Sequence, residues 1–379
     1  MKIKEICFVV TSPFAVNGFL INHLAELSKF YKVTLCTNLN IYPLSPKFDI
    51  SNIVIINVPI ERKISFCKDL TAWWFLFKIF RNSQFLSVHS FTPKAGLLGM
   101  SAAFLARVPN RIHTFTGQIW IRKSGFFRTI LKRCDWLIAK FATLLFADSK
   151  SQIKFLLNEH ICKSSHINLI GAGSIAGVDL QRFFPSQLIK RKVRQELLSD
   201  PNDCVFIFVG RLNEEKGIFD LFEAFGKLYE NYIKAALWIV GPDEEEIAVK
   251  INNIFPELYK RAKWIGATHT PELYMAAADV LILPSHREGF GNVIIEAAAC
   301  NLPTIAYRID GVIDAVLDGE TGFLLDFGDI QGLSVKMETM LNDVELRLRM
   351  GHLARVRASS EFSSEMLTQE WVKFYENFK

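Results

Sequence analysis

No Cys-x-x-Cys pair occurs in this chain of 379 residues, whose seven cysteines (Cys7, Cys36, Cys67, Cys134, Cys162, Cys204, Cys300) are scattered. Neither a zinc framework nor a disulfide scaffold is expected from that spacing. No apolar run approaches the roughly 20 residues that span a bilayer. The longest, Leu70 to Phe77 and Ala95 to Ala106, stop well short, so no segment integral to a membrane is expected. No signal peptide is legible at the start, which together with unpaired cysteines suggests a reducing, cytoplasmic setting. Walker-type phosphate loops, low-complexity tracts and solenoid repeats are missing too. So is any Asp-x-Asp pair, a common means of chelating a catalytic metal.

Acid is scarce in one half only. Residues 1–185 carry 23 Lys/Arg and 9 Asp/Glu, a net of +14, whereas the remainder carries 21 and 30, a net of −9. A chain so divided suggests that its first half faces something anionic: nucleic acid, acidic lipid or a phosphorylated acceptor. An uneven but merely solvated surface is the plainer alternative. No RNA- or DNA-binding motif accompanies the charge, so nucleic acid is not expected as a partner.

The length favours two domains over one core. A strand (Ile6 to Val10), a loop (Thr11 to Gly18), a helix striped by Leu20, Leu24 and Leu27, and a second strand (Val33 to Thr37) make a βαβ unit. The second half repeats the pattern with strands at Val205–Val209, Leu237–Val240, Lys263–Ile265, Val280–Leu283, Thr304–Ala306 and Gly322–Leu325. Helices read between them at Phe219–Tyr229, Pro271–Ala277, Val293–Cys300 and Val312–Leu317. Continuous apolar strands alternating with amphipathic helices imply parallel sheets covered on both faces. The expected class is α/β, with two facing doubly wound Rossmann-like domains and a cleft between them where such sheets bind ligands. Boundaries are expected at 1–185, 186–362 and a C-terminal helical segment 363–379, whose Trp371, Phe374 and Tyr375 are spaced for burial against the first domain.

Glycines cluster in two motifs of different promise. Gly171-Ala172-Gly173-Ser174-Ile175-Ala176 has the outline of a dinucleotide fingerprint, but that motif needs a helix opening at its glycines. Here Pro185 comes too soon, and a turn at the domain seam is the better account. The second motif is Pro284-Ser285-His286-Arg287-Glu288-Gly289-Phe290-Gly291-Asn292, leading into a helix that carries Glu296. Backbone N–H groups at such a helix N-terminus favour a phosphate. Earlier in the same half, Gly210-Arg211-Leu212 ends a strand and Lys216-Gly217 comes after it. Arg as a fork and Lys as a point charge would neutralise a diphosphate.

In this order the motifs resemble the retaining glycosyltransferases of family 4, which have the GT-B fold, and the resemblance covers nearly the whole chain. The family's G-R-L-x-x-x-K-G stands at Gly210 to Gly217, its E-x7-E at Glu288 to Glu296, and further landmarks at Gly311-Val312-Ile313-Asp314 and Gly319-Glu320-Thr321-Gly322-Phe323. The resemblance implies that Arg211 and Lys216 grip the diphosphate of a UDP- or GDP-linked sugar. It implies that the amides of Gly289, Phe290, Gly291 and Asn292 hold phosphate and sugar hydroxyls. Glu296 would hold the ribose, Glu288 would face the moving sugar, and Gly266 would lie by the base. Gly18 would close on the phosphates, although this loop has one glycine where the family usually has a pair. Protein cations would replace a metal, so neither metal nor cofactor is expected.

The family often has Thr-x-His-Gly, its His contacting the donor sugar. Here the run is His113-Thr114-Phe115-Thr116-Gly117, so Thr116 takes the His position and His113 lies three residues earlier. A hydroxyl can hydrogen-bond a sugar oxygen but cannot carry a proton as imidazole does. Thr116 and His113 are therefore catalytic candidates of different kinds. A core or strand-end histidine is the plainer reading of His113. The patch Val88 to Gly96 is similar to that of bacterial enzymes that extend surface polysaccharides on lipid carriers. The resemblance therefore implies hexosyl transfer, with retention, to an undecaprenyl-diphosphate-linked acceptor in O-antigen or capsule synthesis. Rival readings are a GT-B enzyme that splits or epimerises a nucleotide sugar, and a nucleotide-sugar-binding protein without turnover. Trp120 to Phe141 interleaves Arg122, Lys123, Arg128, Lys132 and Arg133 with Phe126, Phe127, Ile130 and Leu131. It is read either as a helix docking peripherally on the anionic inner membrane surface or as a core helix with a solvated basic face. Leu70 to Phe80, with Trp73 and Trp74, reads as a core helix.

Overall fold

Short runs apolar on both faces of the pleat are stable only as strands covered on both sides, and here they build two parallel sheets. The structure, a computed structural model, describes residues 3–46, 48, 52–229 and 234–378; Lys379, the last residue of the expected C-terminal segment, lies outside them. The chain divides into two compact units, Met1–Ala176 with Ser364–Lys379, and Gly177–Ser363.

In the first unit the strands are β1 (Glu5–Val9), β2 (Lys32–Thr37), β3 (Ile53–Asn57), β4 (Phe85–Phe91), β5 (Asn110–Phe115), β6 (Leu144–Ala147) and β7 (Ile167–Leu169). They lie in the order β3-β2-β1-β4-β5-β6-β7, all parallel. The order in which strands are added therefore reverses between β1 and β4, the switch point where an open sheet parts its loops. The loops leaving these two strands meet through their hydroxyls, Thr11 Oγ1 to Thr92 Oγ1 at 2.7 Å. The expected loop from Thr11 to Gly18 is helical instead: the Ser12 side chain accepts from Phe14 N to start a helix at Pro13–Ala15, which widens into a π-type turn over Val16–Leu20. Apolar residues at Ala15, Val16 and Leu20 draw it onto the core.

On one face of this sheet, helices Phe66–Asn82 and Gly125–Phe141 both pack against helix Pro93–Leu105. Helix Phe66–Asn82 buries only Ala72, Leu76 and Phe80, so the reading of Leu70 to Phe80 as a core helix holds for one stripe alone. Its opposite stripe, Phe66, Leu70 and Trp74, is open to solvent. The closing helix, Ser364–Glu376, buries Leu367, Thr368, Trp371 and Tyr375 in the first unit. Tyr375 OH bonds His89 Nδ1 at 2.7 Å, and Thr368 Oγ1 bonds His23 Nδ1 at 2.8 Å. Gly171, Gly173, Ser174 and Gly177 have φ of 55°, 124°, 66° and 64°. A right-handed helix cannot open on that backbone, which removes the dinucleotide reading.

In the second unit, β8 (Cys204–Val209), β9 (Ala235–Val240), β10 (Lys263–Gly266), β11 (Val280–Leu283), β12 (Thr304–Tyr307) and β13 (Gly322–Leu325) lie in the order β10-β9-β8-β11-β12-β13. All pairs are parallel. Its core gathers Phe206, Phe208, Phe222, Phe225 and Tyr307 from both faces. Helices Ile247–Ile254, Ile330–Asn342 and Val344–Glu361 add to those expected.

Candidate active site

The switch point of the second sheet lies between β8 and β11, and both sequence motifs leave the sheet there. Gly210 and Arg211 come after β8, and Pro284 to Asn292 after β11. Backbones approach closely enough to forbid side chains. A Cβ on Gly217 (φ 67°) would stand 1.9 Å from Pro284 O, and one on Gly241 (φ 142°) 1.8 Å from Gly210 O. One on Gly311 (φ 85°) would meet Gly289 O at 2.2 Å. The loops that frame the site are thus locked to one another by glycine.

That packing brings Lys216 to Glu288, Nζ to Oε1 at 2.6 Å, with side chains only 17% and 11% exposed. Arg211 is held by Glu244 at 2.7 Å, and Arg287 by Glu215 at 2.6 Å. Both cations expected to hold a diphosphate therefore rest on carboxylates. Helix Asn292–Ala299 begins behind Gly291 (φ 79°), and no side chain caps it. Its N-terminal end opens four residues beyond Glu288 and carries the positive end of the helix dipole. The Phe290 ring is buried against Phe362, centroids 5.2 Å apart, so only the Phe290 backbone can serve a ligand. The Ser285 hydroxyl is fully buried and has no hydrogen-bond partner among the described residues.

Glu296 lies one turn into that helix, half-buried, and its carboxylate makes no hydrogen bond among the described residues. Burial pushes its carboxyl up to about 7; the Arg182 charge opposes this and the Glu272 charge adds to it. Gly266 ends β10 with φ 75°, and its carbonyl accepts from Gly241 N at 2.8 Å. A cluster absent from the sequence reading stands beside the motif: Asp220 Oδ2 takes His286 Nε2 at 3.2 Å and the Tyr307 hydroxyl at 2.9 Å. Burial works against the Asp220 carboxylate, but those two hydrogen bonds hold it below the usual range. His286 sits inside the motif and so is visible in the sequence; nothing at Asp220 or Glu244 marks them before folding.

The remaining candidates belong to the first unit. Thr116 stands half-buried just past β5, before Gly117 (φ 95°). His113 does not lie with it in the loop. It is 1% exposed within β5, bonded to Ser90 Oγ at 2.8 Å, under helix Pro93–Leu105. A Cβ on Gly96 would stand 2.5 Å from its ring. Burial lowers its pKa to about 3, so near neutral pH the enclosed ring is the neutral imidazole and a weak base. That is a correction to its catalytic candidacy. Gly18 lies in the π-type turn, where a Cβ would meet nothing within 4 Å, so no close approach requires glycine there.

Helix Gly125–Phe141 buries Asp135 and Ile138, and Trp120 Nε1 donates to Asp135 Oδ2 at 2.7 Å. Burial raises the Asp135 carboxyl to about 7, against the Trp120 bond. Arg128 and Lys132 both pair with Glu159, and both lie over the Trp120 ring.

Residues 189–357 match the family described as glycosyl transferases group 1. The chain is 32% identical over 323 residues to the capsular polysaccharide biosynthesis glycosyltransferase CapM of Staphylococcus aureus, covering 85% of this chain and 84% of that one. It is 30% identical over 295 residues to the UDP-Gal:alpha-D-GlcNAc-diphosphoundecaprenol alpha-1,3-galactosyltransferase of Escherichia coli, covering 76% and 74%. Among solved structures, Anabaena Alr3699/HepE in complex with UDP and glucose superposes with a TM-score of 0.82 at 21% identity, over 98% of this chain and 99% of that one. That likeness shows the GT-B fold. With more than four-fifths of a curated relative matched at this identity, the chain belongs to the group 1 glycosyltransferases, family 4, and is a glycosyltransferase of the kind that builds bacterial capsule and lipopolysaccharide.

Proposed function

We propose that the chain moves a hexose-type sugar from a UDP- or GDP-linked donor to an undecaprenyl-diphosphate-linked saccharide, with retention of configuration and without a metal. The observation that carries this reading is the β8/β11 switch point, where the loop with Arg211 and Lys216 leaves β8, helix Asn292–Ala299 opens after β11 without a side-chain cap, and Lys216 reaches Glu288 between them. Residues 186–362 would hold the donor and residues 1–185 the acceptor. The name of the Escherichia coli relative supports a lipid-diphosphate acceptor for that protein, and the UDP and glucose in HepE support a nucleotide sugar for that one.

On this reading the donor diphosphate takes Lys216 and Arg211 over from Glu288 and Glu244. The bond from the anomeric carbon to the diphosphate breaks, and negative charge grows on the β-phosphate beside two cations and the Gly289–Asn292 amides. The acceptor hydroxyl attacks from the same face, and its proton passes to the departing phosphate oxygen. Glu296 accepts from the ribose hydroxyls, and Glu288 meets the moving sugar. Thr116 can hydrogen-bond a sugar oxygen. Preorganised donors of this kind are each worth roughly 3–4 kcal/mol in a water-poor site. Membrane contact is assigned to the basic helix Gly125–Phe141: Arg122, Lys123, Arg133 and Lys140 are exposed along its outer side and approach, with no exposed carboxylate among them.

The test is incubation with nucleotide sugars and a lipid-linked acceptor. New glycolipid supports transfer, free sugar would mean hydrolysis, and binding without product would mean a protein that holds nucleotide sugars only. Lys216→Ala or Arg211→Ala should lower the transfer rate by at least about a hundredfold. Full activity in either variant would sink the role given to that cation.

A further inference from the structure

Four of the five most exposed large apolar side chains of the first unit, all but Ile3, fall in two groups. Ile64, Phe66 and Leu70 are 80%, 83% and 56% exposed, and Phe126 and Phe127 are 77% and 67% exposed. Phe66, Leu70 and Trp74 recur every fourth residue and form one stripe on helix Phe66–Asn82. The two groups lie on helices that flank the same middle helix, Pro93–Leu105. In a parallel sheet each crossover helix runs back against the strands, so its N-terminal end lies at their carboxyl edge. Both groups sit at the N-terminal ends of their helices. They therefore project from the same edge, the one at which β5 delivers Thr116.

The edge is also cationic. Arg62 and Lys63 precede the first group, and Arg122 and Lys123 precede the second; all four are exposed. The carboxylates on these two segments face elsewhere: Glu61 holds Lys68 at 2.9 Å, Asp69 holds Lys94 at 2.7 Å, and Asp135 is buried. Lys94, in the first turn of the middle helix, also donates to Lys63 O at 2.6 Å, which ties the first group to the middle helix. Trp74 lies along the same stripe with Lys78 over its ring.

We propose that helix Phe66–Asn82 is a second, apolar membrane contact, and that the Ile64/Phe66/Leu70 and Phe126/Phe127 groups insert together into an anionic bilayer. This deepens the membrane reading given to helix Gly125–Phe141 and rests on it. Aromatic and aliphatic groups beside lysine and arginine suit the headgroup boundary, where the rings enter and the cations stay at the surface. A second copy of the chain fits poorly, because its matching surface would bring four like charges to four. Charge alone would give a contact that salt dissolves; two inserted apolar groups give one that partly survives salt. Seated this way, the carboxyl edge of the first sheet lies over the headgroup layer, the depth at which a lipid-linked diphosphate is presented.

The experiment is flotation of the full chain with vesicles of phosphatidylglycerol and phosphatidylethanolamine, against phosphatidylcholine, at low and high salt. Phe66→Ser/Leu70→Ser and Phe126→Ser/Phe127→Ser should each weaken partitioning at least about tenfold and abolish what survives high salt. Arg122→Gln/Lys123→Gln should weaken it at low salt only. The Trp74 fluorescence, isolated by comparison with Trp74→Phe, should shift to the blue on anionic vesicles. Vesicle binding by Phe66→Ser/Leu70→Ser equal to the unsubstituted chain overturns the proposal, as does a chain that is dimeric through this stripe and ignores vesicles. UDP binding by each variant checks that the fold is intact. Sugar transfer to a short soluble acceptor is measured beside it, so a failure of the glycosyl-transfer reading is seen separately from a failure of this contact.

Discussion

Glu296 shows how much one carboxylate depends on what surrounds it. With its side chain half-buried and its pKa near 7, about half of the molecules carry it protonated near neutrality. Ribose hydroxyls donate, so they favour the charged form, and nucleotide binding should release a proton. Titration calorimetry should find UDP affinity rising between roughly pH 6 and pH 8 and level above, and Glu296→Gln should flatten the rise. A flat profile for the unsubstituted chain would take Glu296 out of the nucleotide site. The sign for stability is opposite. The folded carboxyl holds its proton more tightly than the unfolded one, so its contribution is full below the ordinary value of 4.5 and is lost as pH rises through about 7. Asp135 shares that sign, because burial raises its carboxyl from 3.8 to about 7. Asp135→Asn keeps an acceptor for Trp120 Nε1 and removes the buried charge. The stability advantage of that variant in thermal unfolding should be smallest near pH 4 and grow toward pH 8. A lower midpoint at both pH values would mean that the charge itself is needed.

Among elements, the C-terminal helix Ser364–Glu376 has the clearest consequence. Trp371 and Tyr375 are spaced for burial, and their stripe does enter the first unit. What spacing could not say is that two buried histidines receive it. His89 spends both ring nitrogens on Tyr375 and Thr114, and His23 spends its own on Thr368 and Ile175 O. Tyr375→Phe keeps the ring and orphans His89 Nδ1, a loss of about 1–3 kcal/mol in urea unfolding. No loss would mean that the hydroxyl contributes packing only. Burial lowers His23 to about 4 and His89 well below its ordinary value. For a histidine depressed on folding, stability is present above the unfolded value of 6.5 and drains as pH falls toward the folded one. These two histidines should therefore draw stability from the first unit in mild acid, against the gain that Asp135 contributes over the same range. In helix Phe66–Asn82 the apolar residues occupy two stripes, Ala72-Leu76-Phe80 and Phe66-Leu70-Trp74, and periodicity alone marks both as fit for burial. Only one of them is covered.

At the scale of the whole molecule, the charge division and the sheet architecture are both legible in the chain. The +14 and −9 halves, the Gly210–Gly217 and Pro284–Glu296 motifs and the alternation of strand and helix are all local properties. If Arg211, Lys216 and the helix N-terminus take the place of a metal, sugar transfer should persist in excess chelator. Activity that vanishes with a chelator and returns with a divalent cation would reverse that reading.

Sequence by itself determined the strands, the parallel sheets they imply, the glycine-framed motifs and the family, because apolar periodicity and motif spacing are set by neighbours in the chain. Tertiary structure alone decided which faces are covered and which charges meet. It turned the Phe290 ring and His113 inward, left Phe66 and Leu70 outside, and seated Lys216 on Glu288 and Arg211 on Glu244. Burial and ion pairing are conferred by residues distant in the sequence, and only the folded sheets bring those residues within reach.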